Sequence, residues 1–314
     1  MGSLWNVTKI FLMSNLIAID PECIKKWEDF RYLSAFIGQT KTFFLSELPP
    51  SFCSDFRSTI KLDQNDKAKI LAKLDLLNKQ NALYRIKATG FEKNNFIKSI
   101  RLVIEKEKRL SLVIGNETNG QIIKSLEDLD SLELGPKGFL GKFTPEAVWN
   151  YIEFYATSSK RMAIVSRYNK LVNSSGKFTK FYYHLVKILE GIANSRCYEL
   201  SIYTEFDPTI KEHQNTSYIE ELLKKALGRN MPPQYGIHYY ICEDHNARDQ
   251  IATLHERRIV TNFVVLNLDD DLGGGAALQG IQVSTDENIN TKIKDLWLER
   301  NHGLPIIKEI HINR

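Results

Sequence analysis

The 314-residue sequence predicts an α/β protein in two parts: a mixed sheet flanked by helices over residues 141–314, and a separate α+β part over residues 1–140. Three observations carry this expectation. Short apolar runs alternate with segments of helical periodicity, most regularly in the second half. The length accommodates two domains of roughly 150 residues each. Residues 116–145, NETNGQIIKSLEDLDSLELGPKGFLGKFTP, turn glycine-, proline- and acid-rich, which marks a boundary near Gly138.

The elements follow in order. NLIAID (15–20) reads as a strand ending in Asp20, and KTFFLSELP (41–49) as a second one stopped by Pro49-Pro50. Residues 63–86 carry Ile70, Leu71, Leu74 and Leu77 at helical spacing, with Asp63 and Asp66 suited to the helix start. IRLVIEKEKRLSLVIG (100–115) reads as strand, charged turn and strand, a hairpin. In the second part, Thr144 and Pro145 suit the cap and first turn of a helix. RMAIVSRY (161–168), CYELSIYTEFDP (197–208) and YGIHYYICED (235–244) read as strands, separated by helices over 178–195 and 216–228, with Gly228 as a stop. ATLHERRIVTNFVVLNL (252–268) is strand-like on both sides of His255, and ENINTKIKDLWLER (287–300) is a closing helix.

Composition narrows the class. A hydrophobic content of 43% permits a sizeable core, and a formal charge of +4 permits a basic patch without announcing a nucleic-acid binder. Cys23, Cys53, Cys197 and Cys242 are scattered without C-x-x-C spacing, as expected of reduced thiols. No run approaches the roughly 18 apolar residues of a membrane span. The opening MGSLWNVTKIFLMSNLIAID lacks a basic lead and a cleavage site, and reads as a strand. Gly2 is followed by Asn6 where a myristoylation pattern needs Ser or Thr. The expectation is a cytoplasmic protein without a transmembrane segment.

The segment that carries chemistry is LHERRIVTN, residues 254–262. If extended, it projects His255 and Arg257 from one face, because residues two apart in a strand point the same way. An imidazole beside a fixed cation suits a phosphate: the guanidinium neutralises an oxygen, and the imidazole can attack phosphorus or move a proton. His255, Arg257 and Asn262 are the candidate catalytic residues.

Their spacing, H-x-R-x4-N, resembles the H-x-K-x4-D signature of the phospholipase D superfamily, with Arg257 for the lysine and Asn262 for the aspartate. The order IANSRCYELSIYTEFDP, helix, YGIHYYICED, LHERRIVTN, glycine turn and STDENINTKIKDLW is similar to one branch. That branch is the phospholipase-D-like C-terminal domain of proteins bearing a microtubule-interacting and trafficking domain, with its bacterial relatives. The similarity covers roughly residues 155–300. It implies a phospholipase-D-like fold in which two histidines face each other across a twofold, one forming a phosphohistidine and the other protonating the leaving oxygen. One motif per chain then implies a homodimer. Arginine keeps the charge but cannot give up a proton, and Asn262 cannot act as a carboxylate. The resemblance leaves two readings open. One is a metal-independent phosphodiesterase, a nuclease-like effector of bacterial defence. The other is a non-catalytic module binding phosphates of nucleic acid or phospholipid headgroups. A structural protein with a vestigial pocket is the third possibility.

Arg167, Glu205 and Asp207 stand at strand ends, where α/β proteins bind ligands, and are candidate substrate contacts; turn chemistry is the competing reading of Asp207-Pro208. Gly273 and Gly274 fall where backbone amides could meet an anion, or in a plain hairpin turn. No cofactor or metal is expected. Asp269, Asp270 and Asp271 read as a solvated loop, Cys242-x-x-His245 lacks a second ligand pair for zinc, and Asp20, Glu47 and Asp75 have no identifiable partners.

Overall fold

Leu16–Ile19 is buried along its whole length and forms β1, the middle strand of a five-stranded sheet. The computed structural model describes residues 16–37, 44–58, 61–79, 82–84, 86, 91–92, 95–106, 110–115, 123–126, 138–193, 195–227, 236–243, 252–272, 274 and 278–313. Contacts divide the chain into two units, Met1–Gly135 and Pro136–Arg314.

In the first unit β1 is followed by α1 (Trp27–Phe36), β2 (Phe44–Ser46), α2 (Phe52–Ser58), α3 (Gln64–Lys79), β3 (Leu83–Tyr84), α4 (Phe96–Lys106), β4 (Leu110–Ile114) and β5 (Ile123–Lys124). The sheet order is β3-β2-β1-β4-β5, and every pairing is parallel. The expected α+β texture is therefore corrected to a parallel α/β layer, whose strands are apolar because helices cover them. Phe30, Phe52, Phe56, Ile70 and Leu74 pack from the helices onto Ile17, Ile19 and Leu112. Asp63 caps α3 as expected, accepting from the amides of Asn65 (2.8 Å) and Asp66 (3.0 Å). The expected hairpin over 100–115 is instead α4 followed by β4. Phe96, Ser99 and Ile100 are buried and Val103 and Ile104 partly so, a spacing of three and four that makes one helix face. The β-branched Ile-Val-Ile content concealed it.

The second unit runs β6 (Phe139–Gly141), α5 (Pro145–Ser158), β7 (Arg161–Val165), α6 (Lys180–Ile192), β8 (Glu199–Glu205), α7 (Lys211–Gln214), α8 (Thr216–Leu227), β9 (Gly236–Cys242), β10 (Arg258–Thr261), β11 (Val265–Leu268), β12 (Gln279–Val283), α9 (Glu287–Leu298) and β13 (Ile306–Asn313). Its eight strands form one mixed sheet, ordered β13-β9-β8-β7-β10-β11-β12-β6. β7, β8 and β9 are parallel, joined by crossover helices. The flanking strands add in antiparallel fashion. β6 pairs with β12, so residues 139–141 belong to this sheet and the division falls at Gly135, short of the expected 140.

Thr144 caps α5 through the Ala147 amide at 3.2 Å, with Pro145 in the first turn. Asp286 caps α9, accepting from Asn288 (2.9 Å) and Ile289 (3.0 Å). α9 brings the fully buried Trp297 against Tyr203 of β8, ring centroids 4.9 Å apart, and Tyr203 stacks on Tyr240 of β9 at 4.8 Å. The Tyr203 hydroxyl donates to the Trp297 carbonyl at 3.0 Å, a polar tie within the aromatic cluster. Among the described residues no helix is long and apolar enough to cross a membrane.

Candidate phosphate site

β7 ends at Val165, and the next five residues, Ser166-Arg167-Tyr168-Asn169-Lys170, form a turn fixed from within. Asn169 is 1% exposed. Its amide donates to the carbonyls of Ile164 (3.2 Å) and Tyr203 (3.0 Å), and its own carbonyl accepts from the Tyr239 hydroxyl (2.8 Å). The turn is thus bonded to all three parallel strands, and Arg167, Tyr168 and Lys170 project from a rigid base.

Arg167 meets Glu205 at the end of β8. Its Nε donates to Oε2 at 2.8 Å and its Nη2 lies 2.5 Å from the same oxygen. The remaining arm, Nη1, lies 3.1 Å from Nδ1 and 3.0 Å from Nε2 of His255. The turn carrying His255 is held against β7 by Leu254, which is fully buried and whose carbonyl accepts from the Arg167 amide at 3.0 Å. His255 itself is exposed.

Two sequence expectations change here. Residues 254–256 form a turn and bend, and the strand begins only at Arg258. Strand alternation therefore does not align His255 with Arg257; the partner that meets the imidazole is Arg167. Asn262 lies at the other end of β10. Its Oδ1 accepts from the amides of Lys160 (2.8 Å) and Arg161 (2.9 Å), where β7 starts. Because β10 runs antiparallel to β7, this is the edge of the sheet opposite His255. Asn262 closes a loop and does not share the site.

Arg257 turns toward Asp271. Its Nε lies 3.1 Å from Oδ1, in ion-pair range, yet it is buried and out of line for a hydrogen bond. The same carboxylate accepts from the Ser166 hydroxyl, which in turn accepts from the Tyr168 amide at 3.1 Å. Asp271 is 7% exposed, so the expected solvated loop over 269–271 is corrected: only Asp269 is exposed. Asp270 accepts from Gln279 at 2.9 Å, while Asp271 joins the two arginine-bearing turns.

Lys170 and Asp207 form the third pair, Nζ to Oδ2 at 2.6 Å. That hydrogen bond, with help from Thr209, holds the Asp207 carboxyl well below the usual carboxylate range. Asp207 also makes the anticipated turn: its Oδ1 accepts from the Thr209 amide (2.9 Å) and hydroxyl (2.6 Å). The Asp207 amide donates to Nδ1 of the fully buried His213 at 2.8 Å. Burial pushes the His213 imidazole down to about 4, which keeps Nδ1 an acceptor at neutral pH.

Gly274 sits where a Cβ would lie 2.0 Å from the Asp270 carboxylate, so any side chain there would have to displace that carboxylate. Its amide is engaged by the Asp271 carbonyl at 2.7 Å and is directed into the turn, contrary to the expected anion contact; its carbonyl accepts from Lys180 Nζ at 3.0 Å. Gly273 and His245 lie outside the described residues.

The geometry groups His255 with Arg167 and Glu205, Arg257 with Asp271 and Ser166, and Lys170 with Asp207, at the turns that follow β7, β8 and β11 and precede β10. In the first unit Asp20 caps the turn after β1 through the Glu22 amide at 3.1 Å, and Asp75 is exposed on α3. Among the described residues no group of three or more His, Cys, Asp or Glu could hold a metal ion. Cys242 is buried in β9, and all four cysteines are free thiols. No protein-family model matches the chain, and no curated protein matches it.

Proposed function

We propose that the carboxyl end of β7 and β8 is a phosphodiester site and that the protein is a metal-independent phosphodiesterase of phospholipase-D-like chemistry, acting on nucleic acid. The observation that carries this reading is the contact of an exposed imidazole, His255, with the Arg167 guanidinium on a rigid turn, with Arg257 two residues along from His255 in the chain. The Arg257 Nε is buried against Asp271, but the side chain as a whole keeps 33% of its surface exposed, and that exposed part is what a phosphate oxygen would meet.

The pairing of each cation favours catalysis over simple binding. Arg167 is clamped by Glu205, Arg257 faces Asp271, and Lys170 is held by Asp207. A surface meant to retain phosphate by charge gains affinity from uncompensated cations. Here affinity is given up for orientation, which is what transition-state stabilisation needs. In the proposed reaction a ring nitrogen of His255 attacks phosphorus and the P–N bond forms as the P–O bond to the leaving group breaks. The arginines hold the non-bridging oxygens. The leaving oxygen takes its proton from the imidazole of a second copy of the chain, and water then displaces the imidazole from phosphorus.

The test is cleavage of an oligonucleotide and of bis(p-nitrophenyl) phosphate by the full chain, with and without EDTA. Turnover that survives EDTA and falls in Arg257→Ala, with partial recovery in Arg257→Lys, supports the reading, since lysine keeps the charge and loses the fork. Phosphate binding without turnover selects the binding module. Equal behaviour of all three proteins removes Arg257 from the site.

A further inference from the structure

Beside the His255 face lies a cleft of about 360 Å³ whose walls include Tyr168, Lys170, Asn173, Asp207, Thr209 and Asp271. Its size falls within the roughly 300–1,000 Å³ typical of small-molecule sites. Resting on the phosphodiester reading above, we infer that this cleft is a nucleoside subsite: Tyr168 stacks an unpaired base of a single-stranded nucleic acid while the adjoining phosphate lies at Arg257 and His255.

Tyr168 is 45% exposed although it sits on a turn bonded to three strands, so a large aromatic surface is held out rather than left loose. The Arg167 guanidinium lies 5.3 Å from its ring centroid, and Lys170 Nζ 6.0 Å. Cations against one aromatic ring in this way form the mixed platform on which bases stack. The residue before Tyr168, Arg167, contacts His255, so the ring stands one residue from the arginine that meets the reactive imidazole.

The charge on the cleft walls selects what enters. Asp207, kept ionised by Lys170, and Asp271 both border the cavity. These carboxylates repel a second phosphate, and so disfavour the clustered phosphates of a phosphoinositide headgroup. They accept hydrogen bonds readily from sugar hydroxyls or base amino groups, and Thr209 stands beside them as a further polar contact. A base inside a duplex cannot reach the ring, so the substrate is single-stranded or locally opened.

The experiment measures binding of the full chain by fluorescence anisotropy at fixed salt. The probes are a labelled single-stranded 12-mer, the same backbone made abasic, the matching duplex, and vesicles containing phosphoinositide. The variants are Tyr168→Ala, Tyr168→Trp and Arg257→Ala. The inference expects Tyr168→Ala to weaken the 12-mer about tenfold, the worth of one stacked base, and Tyr168→Trp to restore it. Abasic strand binds all Tyr168 forms alike, and Arg257→Ala weakens both strands. If Tyr168→Ala binds the 12-mer like the wild type while Arg257→Ala does not, the base subsite is overturned and the phosphate site stands. If Arg257→Ala is also unchanged, the phosphate reading falls with it. Equal loss on the abasic strand shows that Tyr168 acts by positioning Arg167, and tight binding to vesicles or duplex in preference to the single strand overturns the substrate class.

Discussion

Replacing Asn262 by alanine distinguishes a loop-closing role from a catalytic one. The Asn262 carboxamide oxygen accepts two backbone amides, Lys160 at 2.8 Å and Arg161 at 2.9 Å, on the sheet edge opposite His255. Each such bond contributes about 0.5–1.5 kcal/mol net, and the side chain is exposed, which lowers the sum because water can replace it. The loss expected for Asn262→Ala is therefore about 1–2 kcal/mol, as for a removed helix cap. In a unit of this size that is a fall in Tm of roughly 2–8 °C. Asn262→Asp keeps the acceptor and should recover most of it. Thermal unfolding followed by circular dichroism gives the stability, and anisotropy with a phosphate-bearing oligonucleotide gives the affinity. Both variants should bind like the wild type. Loss of binding by Asn262→Ala at unchanged Tm would refute the assignment and return Asn262 to the site.

Glu205→Gln tests orientation against charge: it frees the Arg167 guanidinium and removes a negative charge, so turnover should drop on the order of a hundredfold while affinity for the phosphate ligand stays level or tightens. A parallel loss of affinity would show that Glu205 contacts substrate. Stability should also depend on acid pH. His184, His213 and His302 are buried, and burial pushes each imidazole down to about 4. The unfolded chain then binds more protons between about pH 6.5 and pH 4, so stability is full above that window and is lost as pH falls through it. Urea titrations at pH 7, 5.5 and 4.5 should show a falling midpoint; His213→Asn, which keeps an acceptor for the Asp207 amide and removes the titration, should flatten the fall.

Much of the second unit was legible because its signals are local. Thr144-Pro145, the apolar runs of β7, β8 and β9, and the amphipathic faces of α6 and α8 each announce themselves within a few residues. The hairpin expected over 100–115 failed because β-branched residues at helical spacing satisfy either reading until burial decides. The site was half legible. Arg167, Glu205 and Asp207 were reached through the general position of strand ends, and the structure does bring them together with His255 or Lys170. What one dimension hid was distance. His255 and Asn262 share a motif but sit on opposite edges of a sheet, whereas Asp271 and Ser166 meet across a gap of 105 residues. Asp271 carried no distinguishing local signal, since the exposed Asp269 adjoins buried Leu268 just as Asp271 adjoins buried Leu272. Parallel pairing in the first unit was equally hidden, since strand direction depends on which crossover helix intervenes.

The most direct measurement is the His255→Gln variant read for turnover and affinity on one single-stranded oligonucleotide. Glutamine can still hydrogen-bond a phosphate but supplies neither a nucleophilic ring nitrogen nor acid–base chemistry. Wild-type protein should cleave in EDTA, and His255→Gln should lose turnover while its affinity changes by no more than about tenfold, the worth of one charge-assisted hydrogen bond. Cleavage by His255→Gln at the wild-type rate, or a wild-type protein that neither binds nor cleaves the strand, contradicts a phosphodiester site at His255.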